Sequence, residues 1–160
     1  MKAARFHQHG PPSVIRYEDA PDPAPRPGRA IVRVRACALN HLDLWERRGL
    51  DRVHIPLPHI SGSDVSGDVA EAGRGDVPVG TRVMLQPGLG CGSCQYCRAG
   101  RDNLCGSYMG TKGELLAAAP LFFEGRLRPV IDEVLPLSQA ACAHERLEAH
   151  EQFGKIVLTP

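Results

Sequence analysis

The sequence predicts a mainly β protein with a few short helices, an α+β class, on three observations. It holds 14 prolines and 17 glycines in 160 residues, which suits many short strands joined by tight turns. Stretches such as AIVRVRA alternate apolar and charged side chains with the period of a half-buried strand. Four cysteines, Cys91, Cys94, Cys97 and Cys105, follow C-x2-C-x2-C-x7-C, a spacing that can organise a small lobe around a metal. Hydrophobic residues make up 42% and charged ones 23%, a globular balance with nothing disordered about it.

The elements follow in order. Residues 2–8 and 13–18 form a hairpin around His9-Gly10-Pro11-Pro12. Residues 20–29, APDPAPRPGR, are a proline-stiffened connection into the strand AIVRVRA. Asn40 can cap a short helix, HLDLWERR, with Asp43 at its third position and Gly49 closing it. Strands follow at Asp64–Ala72 and Thr81–Leu85, and the cysteine lobe fills 88–105. Thr111 and Glu114 make a capping box for a helix closed by Gly125, with Pro120 expected to kink it. A strand at 127–137, a helix from Ser138 to about Glu151 and a closing strand KIVL complete the chain.

Bulk properties exclude some partners. A net charge of +1 gives no field to draw nucleic acid or an acidic membrane surface. Aromatics at 5% leave no base-stacking platform. The start MKAARFHQHG lacks the apolar core of a signal peptide, and no run approaches membrane-spanning length. The expectation is a reducing cytoplasm, where clustered thiols signal metal more often than disulfide.

Three thiols at every third position pair poorly with one another, whereas tight turns can aim all four at one point. A closed tetrahedral zinc site would brace the lobe without touching substrate. A disulfide pair with loose thiols and an iron–sulfur cluster are the competing readings. The bacterial ferredoxin run has three residues before its last cysteine and proline after it; here there are seven, then Gly106.

Several segments resemble one family. RVRACALNHLDLWERRG, LPHISGSDVSGDVAEAG, CGSCQYCRAGRDNLC and RLRPVIDEV…FGKIVLTP look like the medium-chain dehydrogenase/reductases, the zinc alcohol dehydrogenases and their quinone oxidoreductase relatives. The resemblance implies a GroES-like β-barrel carrying the four-cysteine zinc lobe. It also implies a Rossmann domain for NAD(P), which family members insert before a tail that finishes the barrel. No G-x-G-x-x-G follows a strand here, and Gly88-Leu-Gly90 runs into the cysteine knuckle. The expectation is therefore one catalytic domain built from 1–108 and 109–160, joined at Tyr108–Met109, with one structural zinc and no NAD(P) site.

Family members with a catalytic zinc hold it through a cysteine after the second long strand and a Gly-His-Glu histidine. By resemblance these positions fall on Asn40 and on Gly62-Ser63-Asp64. Amide and hydroxyl are poor zinc ligands, so the catalytic metal is expected to be absent, as in the zinc-free quinone oxidoreductase branch. Asn40, Asp43, Ser63 and Asp64 are the candidate cleft residues, although Asn40 can serve only as a cap and Asp43 only as a first-turn acid. His41, His54 and His59 match no ligand pattern and read as surface or loop histidines. Cys37 and Cys142 read as buried thiols, and Trp45 reads as core.

Two functional readings follow. One is the catalytic-domain portion of an oxidoreductase for an alcohol, aldehyde or quinone-like molecule, unable to transfer hydride alone. The other is a binding module that docks a separate partner chain through the apolar surface around Phe122 and Phe123. A zinc-ribbon nucleic-acid binder is a weaker third, disfavoured by the charge.

Overall fold

The computed structural model describes residues 1–51, 53–73, 77–88, 90–106 and 111–160. They form two compact units, one from Met1–Leu85 with Ile131–Pro160 and one from Gln86–Val130. The expected junction at Tyr108–Met109 lies outside the described residues.

In the larger unit, β1 (Lys2–Phe6) and β2 (Ile15–Asp19) pair antiparallel as the predicted hairpin, across a 3-10 turn at Pro12–Val14. A five-stranded sheet joins β3 (Ile31–Ala38), β4 (Asp64–Glu71), β5 (Arg82–Met84), β6 (Ile131–Pro136) and β7 (Lys155–Thr159). Its order is β5-β4-β3-β7-β6. Pairing is antiparallel except between β6 and β7, which run parallel. No doubly wound parallel sheet is present among the described residues.

The return segment shapes the core. Ile156 and Leu158, two apart on β7, both turn inward and meet Leu39, Leu44, Leu135, Ala143 and Leu147. Each of the isoleucine and leucine side chains contributes about 1.5–3 kcal/mol on leaving water. Helix α1 (His41–Arg48) buries Leu44, Asp43 and Arg47, while Trp45 is 51% exposed. The expectation that Trp45 packs in the core is therefore corrected: Leu44 takes that place, and Trp45 lies one helical step (100°) round from it.

The sequence places helix ends less well than helices. The expected helix from Ser138 to about Glu151 is a 3-10 turn, Leu137–Gln139, followed by the last α-helix, Ala140–Glu148. It ends early because His150 adopts a left-handed conformation, φ 57°. Cys142 on that helix faces solvent, against the expectation of burial.

The smaller unit contains α2 (Gln95–Arg98), α3 (Asn103–Gly106) and α4 (Lys112–Phe123). The helix Ala140–Glu148 is thus α5. The predicted capping box of α4 is present: Thr111 N donates to Glu114 Oε2 at 2.7 Å, and Glu114 N donates to Thr111 Oγ1 at 3.1 Å. The helix runs through Pro120 to Phe123. No helix among the described residues is long and apolar enough to cross a membrane.

Candidate metal centre and cleft site

Cys91, Cys94, Cys97 and Cys105 converge, their sulfurs all within 4.8 Å of one another. Zinc–sulfur bonds of about 2.3 Å place tetrahedral sulfurs about 3.8 Å apart, so the cluster needs only slight contraction to close on an ion. All four thiols are free. Cys94 heads α2 and Cys105 lies on α3, and backbone N–H groups serve the sulfurs: Cys94 N to Cys91 Sγ and Cys91 N to Cys105 Sγ, both 3.3 Å. A side chain at Gly90 would meet Cys97 Sγ at 2.9 Å, so this position has to lack one.

The electrostatics of the four sulfurs are unequal. The Ser93 hydroxyl, with the Ser93 and Cys94 amides, draws the Cys91 thiol down to about 6. At Cys97 the Gly92 amide pulls downward, but burial and the three neighbouring sulfurs outweigh it and push the thiol up to about 12. Four thiolates together therefore require a cation, and this donor set fits zinc.

The cleft candidates lie in the larger unit. Asn40 precedes α1, and Asp64 opens β4. Asn40 Nδ2 donates to Asp64 Oδ2 at 3.0 Å. Lys155, the first residue of β7, donates to Asp64 Oδ2 at 3.1 Å and to Asn40 Oδ1. The amide orientation follows from charge, since its carbonyl has to face the ammonium and its NH2 the carboxylate. The capping box expected of Asn40 and Asp43 at the head of α1 is present, with the Asn40 amide turned chiefly to Asp64 and Lys155. On the helix side, Asn40 N donates to Asp43 Oδ2 at 2.7 Å.

Asp43 is 1% exposed, and its Oδ1 has no hydrogen-bond partner. Burial raises its pKa against the opposing pull of the Asn40 and Gly62 amides. It supports Asn40 from beneath and is closed to solvent. Ser63 is half-buried beside Asp64. Burial, with Asp43 and Asp64 nearby, pushes the Cys37 thiol up to about 11. His41 and His54 are exposed and His59 half-buried, as expected.

Lys155 was missed by sequence reasoning because KIVL reads only as a strand. Its signal was weak: a single lysine opening an otherwise apolar strand.

Residues 26–127 match the alcohol dehydrogenase GroES-like domain. The chain belongs to that family. Among curated proteins it is 30% identical over 116 residues to an NAD-dependent alcohol dehydrogenase of Sulfurisphaera tokodaii, covering 67% of this chain and 33% of that protein. It is 35% identical over 97 residues to an L-threonine 3-dehydrogenase of Rhizobium etli, covering 58% and 28%. The matched stretches thus span about a third of the curated relatives' length. A crystal structure of an NAD-dependent alcohol dehydrogenase superposes with TM-score 0.93 at 21% identity, covering 100% of both chains. A cobalt- and zinc-bound thermostable alcohol dehydrogenase from Pyrobaculum aerophilum gives 0.90 at 16%, covering 100% of this chain and 99% of that one. The fold is the GroES-like fold of the alcohol dehydrogenases, and the chain is a catalytic-domain portion of an alcohol dehydrogenase-like protein.

Proposed function

We propose that these residues form the substrate side of an alcohol dehydrogenase- or quinone oxidoreductase-like enzyme, a single catalytic domain built from 1–108 and 109–160. One structural zinc sits on Cys91, Cys94, Cys97 and Cys105. Asn40, Ser63 and Asp64, with Asp43 behind Asn40, form a metal-free polar site for a small alcohol, aldehyde or quinone-like molecule. The observation that carries this reading is the 3.0 Å contact between Asn40, just after β3, and Asp64 at the start of β4, the two positions that the family resemblance assigns to the reaction site. Amide, hydroxyl and carboxylate there suit hydrogen bonding to substrate better than zinc ligation.

These 160 residues alone are not expected to transfer hydride, which needs a nicotinamide held against the substrate. Metal analysis of the purified chain should find one zinc, and calorimetry should find no NAD(H) or NADP(H) binding. Two tightly held zinc ions would overturn the metal-free site, and micromolar nicotinamide affinity would overturn the division of labour.

A second reading, a module that docks a partner chain, draws on α4 in the smaller unit, where Phe123 is 82%, Leu116 61% and Phe122 45% exposed. Concentration-dependent light scattering tests it: a monomer at every concentration counts against a sticky face.

A further inference from the structure

We infer that Lys155 is the cationic binding group of the polar site on Asn40 and Asp64, holding the negatively charged oxygen of a phenolate or hydroquinone-type ligand. The inference rests on reading this site as the metal-free reaction site of an oxidoreductase. Reduction of a quinone or other carbonyl places negative charge on oxygen, and a fixed positive donor beside that oxygen stabilises it. In a site of amide, hydroxyl and carboxylate, the Lys155 ammonium is the one positive group on Asn40 and Asp64 among the described residues.

Its placement is fixed from three segments. Asn40 just after β3 accepts one proton through Oδ1, and Asp64 at the start of β4 accepts another at 3.1 Å. Asn40 is itself held twice, by Asp64 through Nδ2 and by buried Asp43 through its backbone N–H. The third ammonium proton points to the Leu39 carbonyl at 3.5 Å, the outer edge of hydrogen bonding. That donor gives up little by turning to a ligand. The Lys155 side chain is 42% exposed, so an incoming oxygen can reach it.

Asp64 has two opposed effects. It anchors the ammonium, yet its carboxylate competes with any arriving anion for the same protons. Removing the lysine and removing the aspartate should therefore change anion affinity in opposite directions. An ion pair that merely ties β4 to β7 would respond alike to either loss.

The zinc-loaded 160-residue chain is titrated with 4-nitrophenol, reading the phenolate absorbance for affinity and for the pKa of the bound phenol. Wild type is expected to favour the phenolate and lower that pKa by about one unit. Lys155→Met should weaken phenolate binding about tenfold or more, Lys155→Arg should retain most of it, and Asp64→Asn should tighten it about fivefold. Absence of phenolate binding to wild type overturns the inference, as does equal binding by Lys155→Met or weakening by both Met and Asn variants. Should Lys155→Met fail to fold, Asp64→Asn decides: tighter binding supports the inference and unchanged or weaker binding ends it. Zinc content is measured on every sample. A full single-zinc complement with no phenolate effect sinks this inference and leaves the proposed function standing, whereas a second zinc, lost in Asp64→Asn, sinks the metal-free reading itself.

Discussion

Lys155 and Asp64 meet at 3.1 Å although 91 residues separate them, and both also bond the side chain of Asn40. Through this pair the strand that ends the chain is tied to the polar site built by the first half. Removing Lys155 should cost little stability, about 0–1 kcal/mol for a half-exposed pair. Urea unfolding of Lys155→Met checks this, and a loss well above that range would show that the contact organises the fold more than the site.

The cysteine centre is expected to govern only its own unit. Chelation, or Cys94→Ser, should release the zinc and raise amide exchange across 88–105 by about a hundredfold or more, because folding and metal binding share one free energy. The strands from Lys2 to Met84 and from Ile131 to Thr159 should keep their protection. Exchange mass spectrometry with parallel metal analysis reads both.

Arg47 is wholly buried, donating to Glu148 Oε2 at 2.7 Å and to the Gly10 carbonyl at 3.0 Å. Glu148→Ala leaves a buried charge short of its partner and should cost about 3 kcal/mol in chemical denaturation. Truncating the exposed partner Arg48 should cost under about 1 kcal/mol.

His144 makes stability depend on pH. Burial, with the positive charge of Arg47, lowers its pKa to about 4, partly opposed by Glu148, and its Nδ1 has no partner. An unfolded histidine titrates near 6.5. Between about 6.5 and 4 the unfolded state therefore binds the proton and the native state refuses it. Stability falls as pH drops through that window, by about 3 kcal/mol from this group, and levels off below it. Thermal unfolding from pH 7 to pH 4 should show the slope, and His144→Gln should flatten it.

Gly62 has φ +113°, and a methyl group there would lie 2.5 Å from Cys37 Sγ. Gly62→Ala should destabilise by about 2–3 kcal/mol through strain and overlap together. Adding Cys37→Ala removes the overlap and leaves the strain, so the double variant should recover part of the loss. A double-mutant cycle by urea unfolding measures the coupling.

Features set by local chemistry were legible in the sequence. The cysteine spacing foretold the convergence of four sulfurs, Thr111 and Glu114 foretold the start of α4, and the alternation through Ile31–Ala36 foretold β3. Features set by distant contacts were not. Lys155 differs from a surface lysine only through Asn40 and Asp64, which lie 115 and 91 residues away. Arg47 reads as an exposed helical arginine until Glu148 and Gly10 close over it. Trp45 was placed inside by its helical spacing with Leu42 and Leu44 and Cys142 by residue type, yet each helix turns a different face to the core. The parallel pairing of β6 with β7 likewise depends on α5 carrying the chain back across the sheet.

β3 receives β7 at Cys37 and Ala38, and Leu39 N–H reaches Ile156 O at 2.9 Å, so the main sheet closes over more than a hundred residues of intervening chain. The entropy of such a closure grows only with the logarithm of the span, and doubling the span adds about 0.6 kcal/mol. A whole globule spliced between the cysteine lobe and β6 would thus barely tax assembly, and its excision would barely ease it. The architecture is tolerant of cargo at that seam, so gain or loss of a neighbouring module there need not threaten the integrity of the sheet.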